Sequence, residues 1–314
     1  MQGRTLGGRF RAMNTDVAVS VVAEAGQERE GSAAVQDVKR LFERVEATLS
    51  RFRPSSDLSK LNHSSGQPYR ATPMLREVLG AALAAAKATG GAFDPTVLRA
   101  LEAAGYDRSF ETMGSSVPPA SPPPPHVAWR AIKVDNSRGT ITIPPGCAVD
   151  LGGIAKGWTV DKAAERLLGF PSFAVDAGGD LTVRGAQEDG SPWTVGVQNP
   201  FDPDRDALVL TLQDAATATS TTARRNWLQA GQRRHHIIDP RTGAPAATGV
   251  AAVTVISRSV QWSEVLAKAT LVLGPEDGLA LLRRQPDAEG LLFLDTGEVL
   301  ASSPAFGQIA PLRR

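Results

Sequence analysis

Strand-like runs come in consecutive groups along this chain, and helical periodicity falls between the groups. Residues 17–23 are short, β-branched and alternating, as a half-buried strand requires. Residues 173–176, 181–184, 193–197, 208–212, 251–256 and 291–294 read the same way. Residues 131–134 and 140–143 make a hairpin around Asn136-Ser-Arg-Gly139. Helical spacing governs residues 35–49, where Val35, Val38, Leu41, Phe42, Val45 and Leu49 recur with charges between them. It returns over 74–89, 159–168 and 260–273, stopped by Gly90-Gly91, Gly169 and Gly274, and again near 276–283. A βαβ chain would alternate the two element types. Their segregation predicts an α+β fold of mainly antiparallel sheets with flanking helices.

A chain of 314 residues can bury a large core without disulfides, as one unit over 1–314 or as two subdomains. Residues 115–125 are rich in Pro and Ser and read as a surface insert. Lys and Arg number 34 against 33 Asp and Glu, so no basic field marks a nucleic-acid partner. The lone Cys147 reads as a small buried apolar residue. No apolar run reaches the roughly 18–20 residues of a membrane span. The first residues hold neither an apolar signal core nor a Cys for lipid attachment, which predicts a cytoplasmic protein.

Asp150-Leu-Gly-Gly-Ile-Ala-Lys-Gly157 carries the most chemistry. Gly152 and Gly153 let backbone approach a ligand, the following helix start favours an anion, and Lys156 adds a point charge. The segment thus predicts that the amides of residues 151–157 cradle a phosphate or diphosphate. A tight turn before a helix, with a surface lysine, fits the same residues. In His235-His-Ile-Ile-Asp-Pro-Arg-Thr-Gly243, Asp239 sits in a turn that follows two histidines. Adjacent strand residues point apart, so at most one of the two serves a site as general base. No His or Cys spacing suits zinc. Gly90-Gly-Ala-Phe-Asp-Pro-Thr96 presents a carboxylate on a turn. Gly178 and Gly179 fit either a tight hairpin turn or a ligand contact. The hydroxyls of residues 218–222 fit a Thr-rich strand end or a phosphate site.

In this order the segments resemble the FAD:protein FMN transferase (ApbE) family, from about residue 10 to 274. The resemblance rests on Ala12-Met-Asn-Thr15, Phe52-Arg-Pro-Ser-Ser-Asp-Leu-Ser-Lys-Leu-Asn62, Gly91-Ala-Phe-Asp-Pro95, the 150–157 segment with Asp161, Gly178-Gly-Asp180, Thr219-Ser220 and His236-Ile-Ile-Asp-Pro-Arg-Thr-Gly243. It implies a T-fold-related architecture. It also implies covalent flavinylation: FAD is cut at its diphosphate, FMN passes to a Thr or Ser of a target flavoprotein, AMP leaves, and Mg2+ assists. FAD hydrolysis to FMN and AMP, and FAD binding without transfer, are the rival readings. By the resemblance, His236 is the base, Asp239 orients its loop and Lys156 holds the diphosphate. Met13, Phe52, Ala92, Phe93, Asp94, Gly152, Gly153, Asp161, Gly178, Gly179, Thr219, Ser220 and Ile238 fall at cofactor positions.

The chain departs from the family pattern in three places. The family's Met-Gly-Thr is Met13-Asn14-Thr15, and its Thr-Ser-Gly is Thr219-Ser220-Thr221. Its magnesium ligands are a backbone carbonyl, at Ala155 here, with an Asp and a Thr four residues apart on a late helix. Those two positions hold Glu264 and Lys268, so the chain reads as a variant without the usual Asp and Thr ligands. A Lys ammonium is no magnesium ligand. Either Glu264 and Lys268 form an i,i+4 ion pair, or the ammonium stands in the metal's place and neutralises the diphosphate.

Overall fold

The computed structural model describes residues 4–114, 116–117 and 128–306. Eight strands form one sheet whose spatial order is the chain order. They are β1 (Arg4–Ala12), β2 (Thr15–Ala23), β3 (Ser172–Ala177), β4 (Asp180–Arg184), β5 (Ala215–Thr221), β6 (Val250–Ser257), β7 (Glu289–Leu294) and β8 (Val299–Ala301). Every neighbouring pair is antiparallel. The helices enter as insertions into this meander. Between β2 and β3 lie α1 (Glu28–Leu49), α2 (Asp57–His63), α3 (Pro73–Ala88), α4 (Leu98–Ala103) and α5 (Ala155–Arg166). Between β6 and β7 lie α6 (Val260–Leu273) and α7 (Pro275–Arg283). The expected α+β segregation is therefore one antiparallel sheet interrupted by helical excursions. Among the described residues no helix is long and apolar enough to cross a membrane.

Two tight turns set the register. Ala12 pairs with Thr15 across Met13-Asn14, and Ala177 pairs with Asp180 across Gly178-Gly179. Both central residues have positive φ in each turn, at 53° and 57° in the first and 66° and 94° in the second. That conformation matches the right-handed twist of paired strands. Glycine adopts it freely and Asn tolerates it, whereas Met13 is held there against its preference.

The pattern of β2 shows how the sheet is covered. Val17, Val19 and Val21 are buried and pack with Phe42 and Val45 of α1 in the main core, where α5 and α6 also bury their apolar faces. The opposite face is covered further along, where the hairpin of Trp193–Gln198 and Asp206–Leu212 packs on Leu181, Val183, Leu291 and Phe293. Strand β6 lies between both layers and is buried almost throughout, which is why its sequence is a continuous apolar run.

The structure shifts several expected boundaries. Helix α5 begins at Ala155, not 159, so Lys156 and Gly157 belong to its first turn. Gly157 survives inside a helix because α5 touches α6 there: a Cβ would lie 2.7 Å from the Gln261 backbone. Strand β1 escaped the sequence reading because it is an exposed edge with Gly7-Gly8 and several arginines. Helices α2 and α4 have seven and six residues, too few for periodicity to show. In the predicted insert, Ser116–Val117 pairs in parallel with Leu228 and Gln229, and the remainder lies outside the described residues.

The α5–α6 contact gives a direct test. Gly157→Ala gains about 1 kcal/mol of helix propensity but forces a methyl into backbone that cannot yield, an overpacking cost of roughly 1–3 kcal/mol. A lower urea midpoint than wild type is expected. A raised midpoint would show that the helices separate freely.

Candidate active site

A cleft open to solvent at its mouth lies beside the α5–α6 contact. Its apolar and aromatic lining comes from Met13, Leu49, Phe52, Leu101 and Tyr106. The lining also carries Arg51, Lys156, Arg225 and Lys268, with His236, Glu46 and Asp150 among them. Helix α1 delivers Leu49 and ends at Ser50, placing Arg51 and Phe52 at the rim. The Met13-Asn14 turn closes another edge.

Two of the four cations are neutralised by the protein. Arg51 Nε binds Asp150 Oδ2 at 2.8 Å, with the guanidinium carbon 4.1 Å from the Phe52 ring centre and 4.6 Å from that of Tyr106. Lys156 forms an ion pair with Asp180, whose other oxygen accepts the Thr219 amide at 3.3 Å. Arg225 and Lys268 have no carboxylate within 4.0 Å among the described residues. Arg225 Nη2 reaches the Asn14 carbonyl at 3.5 Å, and its guanidinium also bonds the Tyr106 side chain.

Glu264 sits one turn before Lys268 on α6, and it accepts the Gly157 amide at 2.9 Å. Burial, with the negative Asp180 nearby, raises its pKa to about 7. Burial also lowers the Lys268 pKa, opposed by Glu264, Asp150 and Asp180. The i,i+4 ion pair is not formed. The Lys268 ammonium instead packs over Gly153, in space that a Cβ on that glycine would occupy.

The two histidines divide as strand geometry requires. His235 Nε2 bonds the Ala246 carbonyl at 3.0 Å, a structural role. His236 faces the cleft, its ring centre 6.4 Å from that of Tyr106 in an edge-on arrangement. Its Nδ1 is buried and has no partner. Burial, then the charges of Arg225 and Lys268, hold its pKa well below the usual histidine range. The imidazole is therefore neutral at pH 7, with a nitrogen able to accept a proton.

Of the residues singled out in the sequence, Met13, Phe52, Gly152, Ala155, Lys156, His236 and Lys268 meet in the cleft. Gly153, Phe93 and Glu264 lie just behind it, around Lys268 and Gly157. The others lie outside the cleft lining, with bonds of their own. Asp161 caps α6, accepting from Ser259 Oγ at 2.8 Å and the Val260 and Gln261 amides at 2.8 and 3.0 Å. Asp239 binds the Arg241 guanidinium at 2.8 Å. Ile238 is buried against Tyr106 and Trp227. Gly178 and Gly179 make the hairpin turn. Thr219 bonds Thr254 at 2.9 Å inside the sheet, and Ser220 is buried beside it. Ala92 is buried, and Asp94 accepts from Thr96 at 2.6 Å while its second oxygen is buried without a partner.

Four of the seven amides expected to form a cradle over residues 151–157 are already bonded within the protein. Gly152 donates to Asp150 at 2.9 Å, Ile154 and Ala155 to the Leu151 carbonyl at 3.1 and 2.9 Å, and Gly157 to Glu264. The loop spends these donors on its own fold, and the free positive charge comes from side chains. Arg51, Tyr106 and Arg225 were not predicted. Arg51 adjoins the Phe52 motif, while Tyr106 and Arg225 come from connecting segments with no motif of their own.

Magnesium takes oxygen ligands in near-octahedral geometry. Among the described residues no group of three or more His, Cys, Asp or Glu side chains is placed to hold a metal ion. At the positions the resemblance implies, one side chain is a carboxylate bonded to an amide and the other is an ammonium. These residues do not fit the ion.

The neutral histidine is open to measurement. The His236 ring resonances are expected to stay in the neutral form well below pH 6.5. Replacing Arg225 by Gln removes a nearby positive charge and raises the midpoint. NMR titration of wild type and variant checks both. An ordinary midpoint in wild type would contradict the desolvated site.

The chain matches the model of the ApbE family over residues 13–292. It is 32% identical over 251 residues to the FAD:protein FMN transferase of Vibrio cholerae serotype O1, spanning 78% of this chain and 75% of that one. The FAD:protein FMN transferase of Treponema pallidum is 31% identical over 298 residues, or 86% and 80% of the two chains. The crystal structure of the ApbE protein from Thermotoga maritima superposes with a TM-score of 0.85 at 28% identity, covering 96% of this chain and 98% of that one. A cleft with unpaired cations, an aromatic lining and a neutral histidine thus sits on a scaffold shared along almost its whole length, and the chain belongs to the ApbE family.

Proposed function

We propose that this chain moves the FMN half of FAD onto a Ser or Thr hydroxyl of a target flavoprotein and releases AMP. The observation that carries this is the pair of unneutralised cations, Arg225 and Lys268, beside a neutral His236 in one cleft. A diphosphate carries two negative charges near neutral pH, and two free cations match it. The aromatic lining of the cleft, Phe52 and Tyr106, suits a flavin or adenine ring.

The chemistry follows from that placement. The acceptor oxygen bonds to the FMN phosphorus. The bond from that phosphorus to the bridging oxygen breaks, and the bridging oxygen leaves with AMP. The hydroxyl proton passes to the neutral imidazole of His236. Such reactions gain most from holding the groups in line and neutralising charge. Arg225, Lys268 and the Lys156–Asp180 pair supply the charge pattern, and no step is routed through a metal ion.

His236→Ala should lower transfer by roughly 10²–10⁴-fold, the usual span for a lost general base. FAD affinity should change far less, because the ring is uncharged. Flavin fluorescence of the acceptor in denaturing gels, with AMP release, reads the transfer, and calorimetry reads the affinity. AMP release without acceptor labelling would point to hydrolysis of FAD instead. Full transfer by the variant would remove His236 from the role.

A further inference from the structure

We propose that Lys268 replaces a divalent cation in this chain: its ammonium neutralises the FAD diphosphate, and FMN transfer proceeds without magnesium. The proposal rests on the FMN-transfer reading above.

Position is the first support. Lys268 lies on α6, which the Gly157 contact holds against α5. Its side chain fills the space over Gly153 that any side chain there would occupy, with the Phe93 ring edge on the same spot. The ammonium is thus seated between the glycine loop and the cleft, and it lines the cleft itself. A metal ion could enter this space only by displacing it.

Charge is the second. Lys156 is held by Asp180, and Arg51 by Asp150. Glu264, the residue best placed to hold Lys268, accepts the Gly157 amide and makes no ion pair with it. No carboxylate lies within 4.0 Å of Lys268 among the described residues, so a protonated Lys268 has its charge completed best by a ligand. With Arg225 it balances a diphosphate charge for charge. An arriving diphosphate also favours the protonated amine, since an opposite charge at close range stabilises the charged form. A divalent ion added to this arrangement would repel both cations and overcharge the site.

In the transfer step, negative charge grows on the bridging oxygen as its bond to the FMN phosphorus breaks. A fixed ammonium aimed at that oxygen stabilises it without metal ligation, and the leaving AMP carries the charge away.

Calorimetric titration with FAD tests the proposal, run with EDTA and with excess magnesium, alongside AMP release and acceptor labelling. Wild type should bind FAD and transfer FMN equally in both buffers. Lys268→Met, close in shape, should bind FAD roughly tenfold or more weakly in both, as for a lost hydrogen bond to a charged group. The double variant Glu264→Asp and Lys268→Thr should take up Mn2+, seen by electron paramagnetic resonance, where wild type takes none. Wild-type binding or transfer that fails in EDTA and returns with magnesium overturns the proposal while leaving the FMN-transfer reading intact. No FAD binding in either buffer overturns both. The wild-type arms need no variant to fold.

Discussion

Helices α5 and α6 meet at Gly157, where backbone lies against backbone and an amide of one helix reaches a carboxylate of the other. That contact sets the spacing of the cleft. Lys156 precedes it on α5, Glu264 takes part in it from α6, and Lys268 stands one turn further along. Any side chain at position 157 would push the two helices apart and carry the cations with them. A single glycine thus fixes charges that come from residues more than a hundred positions apart.

Around this contact the protein divides its charges by role. Arg51 and Lys156 are tied to Asp150 and Asp180, and these pairs join the glycine loop to α1 and to the sheet. Buried pairs of this kind cost desolvation and bring geometric definition more than net stability. Arg225 and Lys268 are left unpaired at the cleft, where their charge acts on a ligand. The same two charges, added to burial, depress the His236 pKa. Anion binding and a neutral base therefore have a common electrostatic origin.

Much of the fold was legible because its signals are local. Apolar runs marked β2, β3, β4, β6 and β7, helical spacing marked α1, and spacing with glycine stops marked α3 and α6. The edge strand β1 and the short helices α2 and α4 were not, because a polar edge and a six-residue helix leave no periodic trace. At the site, the 150–157 segment and the His236 motif both contribute residues to the one cleft. The sequence could not show that most of that loop's amides turn inward, since their acceptors, the Leu151 carbonyl and Glu264, are met only after folding. Nor could it show that Asp161 bonds the start of α6 and Thr219 bonds Thr254, since those partners are distant in the chain.

The residues alone determined the family, the antiparallel α+β class and the presence of Lys268 where a metal ligand would be expected, since each is written in side-chain type and spacing. Whether Lys268 pairs with Glu264 or faces the cleft was decided by the tertiary structure. On an isolated helix the two are natural partners. The Gly157 amide engages Glu264, and the open space over Gly153 takes the ammonium, and both exist only once α5 and the glycine loop have packed against α6.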